Sequence, residues 1–291
     1  MIGTPTTQAT HQRLTCRNGR QLAYEEYGDP AGSPALFIHG CLGSRLSAAP
    51  FHQAALKQSI RLIAIDKPGF GYSDLQPELS LAEWPDLIKQ LVDHLGIQQI
   101  SILTSSGGTP YGLSCAAHLP TYVTKIIMIN PIADVGNKAA NHSKGFNNPW
   151  VYRLIRQLPG FVYFCLNAGK LLFRHYPEGF IKLVHGREMP YLSRHPNIYK
   201  NRKETIIEAV RTGCQGILHE LQTYAYPWNF ELQKVSKEVI IIQGLLDINQ
   251  HVADYYTDLL PTSRLITFDQ EDHLSLGYNQ SNQILALAQI I

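Results

Sequence analysis

Residues Ile100 to Pro120, ISILTSSGGTPYGLSCAAHLP, constrain the fold more than any other stretch of this chain. An apolar, β-rich run from Ile100 to Leu103 passes through small residues, Thr104 to Gly108, into a helical pattern that spans Pro110 to His118 and ends at Pro120. The spacing predicts strand, sharp turn and helix. Such a turn lifts its central side chain to the top of the strand and sets the next backbone N–H groups at a helix N-terminus, where developing negative charge is favoured. Ser106 holds the central position and is the candidate nucleophile. A serine-rich helix start that merely caps the helix has the same look, so the reading depends on the rest of the chain.

Other apolar runs alternate with helical patterns. Arg13–Arg17 and Gln21–Tyr27 alternate around Asn18-Gly19, which predicts an antiparallel pair joined by a two-residue turn. Ala35–Ile38, Arg61–Asp66, Ile100–Leu103, Lys125–Asn130, Val239–Gln243 and Arg264–Phe268 are short continuous runs, as strands covered on both faces require. Helices are expected over Ala49–Gln58, Ser80–Leu95, Val252–Leu260 and from about Asn279, with Ser80 and Glu83 as a capping box and Gly96 as a stop. Strands alternating with helices imply an α/β fold around a parallel sheet. From Ile132 to Trp228 no such strand appears. Helical patterns there are broken by prolines and dense in aromatics, Trp150, Phe161, Phe164 and Tyr224 among them. The expected organisation is a core in two parts, residues 1–131 and 229–291, around a helical insertion, residues 132–228.

Composition excludes several classes. The chain has 291 residues, a 44% hydrophobic content and a formal charge of +2 without a basic block, so a large core is expected and nucleic acid is not an expected partner. Five scattered cysteines, Cys16, Cys41, Cys115, Cys165 and Cys214, lack C-x-x-C spacing and point to reduced thiols, hence a cytoplasmic location with no metal site. The polar N-terminus reads as a frayed tail, and Phe161–Phe173 is too short and too interrupted to span a bilayer. No cofactor is expected.

A serine alcohol needs a base within reach and a group that fixes and charge-balances that base. In an open α/β sheet these belong in loops after strand C-terminal ends. Gly244-Leu245-Leu246-Asp247 follows one late strand and Glu271-Asp272-His273 another, so Asp247 and His273 are the candidate acid and base; Asp134 is a second choice for the acid. The order Ser106, Asp247, His273 agrees with nucleophile, acid, histidine. An oxyanion also needs preorganised donors, and loss of one costs about 3 kcal/mol. The Gly107 and Cys41 N–H groups are the candidates, the latter in HGCLGSR, where His39 is expected to orient the loop and the Cys41 thiol to be a bystander. Asp66 and Asp74 are expected to hold the loop DKPGFGYS.

HGCLGSR, DKPGFGYS, the Ser106 turn with PYGLSCAAHLP, QGLLD and EDHLSLGYN together resemble the α/β-hydrolase superfamily, in its capped esterase- and lipase-like branch. The resemblance covers about Gln12 to Ile291 and implies a mostly parallel eight-stranded sheet under a helical cap, a Ser106–His273–Asp247 triad, and an apolar or acyl-bearing ester or thioester substrate. Carbon–carbon bond hydrolysis, acyl transfer and a non-catalytic ligand-binding role are the alternatives. Two residues depart from the pattern. Thr104 stands where the G-x-S-x-G turn has glycine, which is expected to tighten or distort it, and Asp272 replaces the glycine before the histidine, its carboxylate expected to face solvent.

Overall fold

The computed structural model describes residues 11–133, 148–260 and 262–290. The apolar runs become β1 (Gln12–Thr15), β2 (Gln21–Gly28), β3 (Ser33–Ile38), β4 (Ile60–Ile65), β5 (Ile100–Ser105), β6 (Val123–Ile129), β7 (Glu238–Gly244) and β8 (Ser263–Phe268). They form one sheet in the order β1-β2-β4-β3-β5-β6-β7-β8. The β1–β2 and β2–β4 pairs are antiparallel and every other pair is parallel. The mostly parallel eight-stranded sheet expected from the sequence is therefore present.

Side-chain alternation divides the core in two. Ile100 and Ile102 of β5, with Val239 and Ile241 of β7, join the larger cluster on one face of the sheet. Leu103, Ile240 and Ile242 point to the opposite face. Helices α2 (Trp84–His94), α3 (Thr109–His118) and α10 (His251–Leu259) supply the first cluster; α1 (His52–Lys57) and α12 (Ser281–Leu287) supply the second. Between β6 and β7 lie α4 (Pro149–Gln157), α5 (Pro159–His175), α6 (Pro177–Val184), α7 (Met189–Arg194), α8 (Pro196–Ala209) and α9 (Gln215–Ala225), with no strand among the described residues.

Local departures have local causes. Gly19 has φ +79° but Asn18 does not share it, and Cys16 bonds Arg20 across the turn, so the first hairpin has a wider loop than the two-residue turn expected. Glu83 Oε2 takes both the Ser80 N–H (2.9 Å) and hydroxyl (2.8 Å); α2 then begins one turn later, at Trp84, with Pro85 in its first turn. Gly96, at φ +67°, ends it as expected. A short helix, α11 (Ser275–Asn279), precedes α12 where one closing helix was expected.

Candidate active site

Strands β3, β5, β6, β7 and β8 are neighbours in the sheet and run parallel, so the loops leaving their C-terminal ends converge at one edge. After β5, Ser106 opens a 3-10 turn, Ser106–Gly108, that leads into α3. Its φ is +50°, a left-handed conformation that a non-glycine residue adopts only when its surroundings impose it. The side chain is half-buried, and its carbonyl accepts the Thr109 hydroxyl at 2.6 Å.

The glycines show what imposes this turn. A methyl group built on Gly108 would meet Ile38 O at 2.3 Å, so that glycine admits the end of β3. One built on Gly112 would meet Thr104 Cγ2 at 2.3 Å. Thr104 is accommodated by a glycine about one helical turn into α3, and Ser106 still takes the left-handed turn without the missing glycine. Its Oγ1 is buried without a hydrogen-bond partner. Gly112→Ala is expected to destabilise the fold by about 1–3 kcal/mol through overpacking. In a Thr104→Ala background the clash disappears, and the same change is expected to stabilise by up to about 1 kcal/mol from helix propensity. Denaturant titration of the four proteins reads the coupling; additive effects would refute the compensation.

The loop after β3 crosses the turn closely. A methyl on Gly40 would lie 3.1 Å from Ser106 Cβ, and one on Gly107 would lie 3.2 Å from Cys41 N. The structure thus brings Ser106, Gly107 and Cys41 together. Leu42 follows at φ +54°. His39 is buried, its Nε2 facing the Lys67 N–H at 3.2 Å and its Nδ1 the Gly40 carbonyl at 2.8 Å. A backbone donor at Nε2 fixes the proton on Nδ1. Burial first, and Lys67 second, hold this imidazole neutral, well below its ordinary pKa, so it orients the loop as expected. Burial likewise pushes the Cys41 thiol up, partly offset by Lys67, which removes it as a thiolate nucleophile.

On the other side, Asp247 Oδ2 lies 2.5 Å from His273 Nδ1. The carboxylate is buried, and its Oδ1 accepts the Asn249 N–H at 2.9 Å. Burial alone would raise its pKa, but the imidazolium, that N–H and Gln243 hold it below its ordinary 3.8. For His273, burial works against the cation; Asp247, and after it Glu188 and Asp272, outweigh burial and hold it above 6.5. Asp272 turns back onto α11 instead of facing solvent: its Oδ1 accepts the Leu274 (2.9 Å) and Ser275 (2.7 Å) N–H groups. Asp134, the other carboxylate considered for the acid role, lies outside the described residues.

No hydrogen bond joins Ser106 Oγ to His273 in this structure. Both flank one residue that sequence reasoning did not single out, Asn130, at φ +45°. Ser105 pairs with Ile129, which sets Ser106 beside Asn130 at the next step. Asn130 Nδ2 donates to Asp272 O (3.2 Å) and His273 O (3.1 Å), and its Oδ1 accepts from Gly244 N (2.9 Å) and Gln243 Nε2 (3.1 Å). One amide therefore ties the ends of β6 and β7 to the histidine loop. Only the change of rhythm at Asn130-Pro131 hinted at it.

Buried polar contacts fasten the helices after β6 to the loops after β3, β4 and β5. Lys67 pairs with Glu220 of α9, and the Tyr224 hydroxyl sits between Glu220 and Gly107 O, 2.9 Å from the latter. Burial pushes the Lys67 ammonium down to about 7. Arg202 of α8 donates to Leu42 O at 3.2 Å and to His185 Nε2 at 2.9 Å. Glu220, Tyr224 and Arg202 stand in no motif, and the groups they reach at Lys67, Gly107 and Leu42 lie far away in sequence. Among the described residues no group of His, Cys, Asp or Glu side chains is arranged to hold a metal.

A model of the alpha/beta hydrolase fold family matches residues 34–280. The chain belongs to the alpha/beta hydrolase fold family. Within it, the chain is similar to the uncharacterized hydrolase YcgS of Bacillus subtilis, 26% identical over 240 residues and 79% of each protein. Among solved structures it resembles a thermophilic esterase from Thermogutta terrifontis, with TM-score 0.66, 19% identity, and 96% of each chain covered. It also resembles the enol-lactonase from Burkholderia xenovorans LB400, with TM-score 0.65, 15% identity, and 95% of this chain and 97% of that one covered. These structural likenesses concern the fold. For an alpha/beta hydrolase, the serine turn after β5, the carboxylate loop after β7 and the histidine loop after β8 stand in the order such chemistry uses.

Proposed function

We infer that the protein is a serine hydrolase that cleaves an ester, thioester or lactone of an apolar or acyl-bearing small molecule. The observation that carries this reading is the Asp247–His273 hydrogen bond, which directs His273 Nε2 away from the buried acid on the sheet edge that also bears Ser106. In this reading Ser106 Oγ attacks the carbonyl carbon and its proton passes to Nε2. The Cys41 and Gly107 N–H groups hold the oxyanion, and the imidazolium protonates the departing alkoxide or thiolate. Water then attacks the acyl-enzyme as His273 takes its proton, and the acid leaves as His273 returns that proton to Ser106 Oγ. Within the insertion of residues 132–228 the described helices, α4 to α9, serve as the cap over a core drawn from residues 1–131 and 229–291, and their aromatics favour an apolar acyl group. Five unpaired cysteines support a cytoplasmic location.

Hydrolysis of p-nitrophenyl esters of graded acyl length, followed across pH, tests the reading. Only neutral imidazole can accept the serine proton, so kcat/KM is expected to fall on acidification through a pKa above 6.5. Asp247→Asn removes the field that raises this pKa. It is expected to move the acid limb downward and to lower kcat by on the order of 10⁴-fold. Inertness toward every short ester, with turnover of a diketone, would exchange ester cleavage for carbon–carbon hydrolysis. An acid limb unmoved by Asp247→Asn would remove His273 as the base.

A further inference from the structure

Helix α5 is apolar on the side it turns to solvent. Phe161, Phe164, Cys165, Ala168, Leu171 and Leu172 recur at helical spacing on one exposed face, while Val162, Leu166 and Phe173 pack inward. Phe164 is 69% exposed and Leu171 58%. The exposure continues through Trp150, Leu154 and Leu158 of the preceding segment, Trp150 at 74%. An exposed apolar run of this length on a folded protein marks a surface that something covers.

Charge identifies the cover. From Asn148 to Pro177 the chain carries Arg153, Arg156, Lys170 and Arg174 and neither Asp nor Glu. Between Pro149 and Trp228 there are eleven Lys and Arg against five Asp and Glu, in a chain whose formal charge is only +2. Arg153 and Arg156 of α4 are exposed, Arg153 with its guanidinium over the Trp150 ring, and Arg174 is exposed near the end of α5.

We propose that this face docks on an anionic lipid bilayer, the aromatic and aliphatic stripe entering the headgroup–acyl boundary and the exposed arginines of α4 and α5 meeting lipid phosphates. No described helix is long and apolar enough to cross a membrane, so the contact is with the surface. A second copy of the chain is a poor occupant. Two such faces brought together would oppose the same unbalanced cations on both sides.

Purified protein is mixed with phosphatidylcholine vesicles, with or without phosphatidylglycerol, and bound protein is separated by flotation. Trp150 reports insertion directly, because Trp84 and Trp228 are buried. The expected result is flotation with the anionic vesicles, a blue shift of Trp150 emission, and affinity that falls about tenfold or more on raising salt. Phe164→Asp with Leu171→Asp is expected to abolish the shift. Arg153→Glu, Arg156→Glu and Arg174→Glu together are expected to weaken binding on the order of a hundredfold. All these positions are on the surface, so an unchanged unfolding midpoint separates docking from folding. Absence of flotation with anionic vesicles overturns the proposal, as does equal binding to both vesicle types. A dimer lost in Phe164→Asp/Leu171→Asp, without vesicle binding, overturns it in favour of a second copy.

Discussion

Ser106→Ala is expected to lower kcat for a p-nitrophenyl ester by about 10⁵- to 10⁶-fold, close to the loss from removing an entire triad. The left-handed turn holds this oxygen at the edge where the β3, β7 and β8 loops meet, and the described hydroxyls nearest it are otherwise placed: Ser105 belongs to β5, the Thr109 hydroxyl donates to the Ser106 carbonyl, and the Tyr224 hydroxyl lies between Glu220 and Gly107 O. Alanine tolerates φ +50° no better than serine, so stability should change little while chemistry is lost. Steady-state turnover, with substrate affinity followed separately, reads the two effects. A Ser106→Ala protein retaining more than about a hundredth of the parent rate would move the nucleophile elsewhere.

Arg45→Met is expected to have the largest effect on stability, about 3–5 kcal/mol, from stranding carboxylates in the interior. Arg45 Nη1 pairs with Asp66 Oδ2 at 2.7 Å and with Glu208 Oε1 of α8 at 2.5 Å. Glu25 Oε2 of β2 lies 3.2 Å from Nε, near enough for an ion pair though not aligned as a hydrogen bond. Asp66 in turn accepts the Arg45 N–H (2.8 Å) and the Tyr72 N–H (3.1 Å), so it holds the glycine-rich loop, while Asp74 accepts the Gln21 N–H and pins that loop to β2. One guanidinium therefore joins β2, two loops and the helical segment between β6 and β7. Methionine keeps its volume and leaves Asp66, Glu208 and Glu25 without their cation. A domain stable by about 5–15 kcal/mol loses a large share of its margin. The exposed Arg17–Asp86 pair gives the contrast: Arg17→Ala should cost no more than about 0.5 kcal/mol. Urea titration of both variants provides the comparison, and a loss below about 1 kcal/mol for Arg45→Met would show that the cluster does not hold these elements together.

Strands whose residues face apolar surroundings on both sides were legible because one continuous run can do little else. Ile60–Ile65 and Glu238–Gly244 were located to within two residues. Asp247 and His273 were legible for the related reason that loops after parallel strands share an edge, so chain order translates into position. Local signals competed less well. Asn18-Gly19 favours a two-residue turn, but the Cys16–Arg20 pairing closes a wider one; Ser80 and Glu83 bond each other as a capping box would, one turn ahead of the helix. What stayed hidden is what distance along the chain conceals. Asn130 reaches His273, Arg45 reaches Glu208, and Lys67 reaches Glu220, contacts that carry no periodicity. Thr104 belongs with them, since the glycine that makes room for it is at 112, not at 108.

The central claim is that Ser106 is a nucleophile activated by His273, and its most direct test is reaction with a fluorophosphonate followed by mass spectrometry of the digested protein. The account predicts one adduct, on the peptide containing Ser106, formed in the parent and lost or strongly slowed in His273→Ala. An unmodified Ser106 in protein with His273 intact, or an adduct on any other residue, would contradict it.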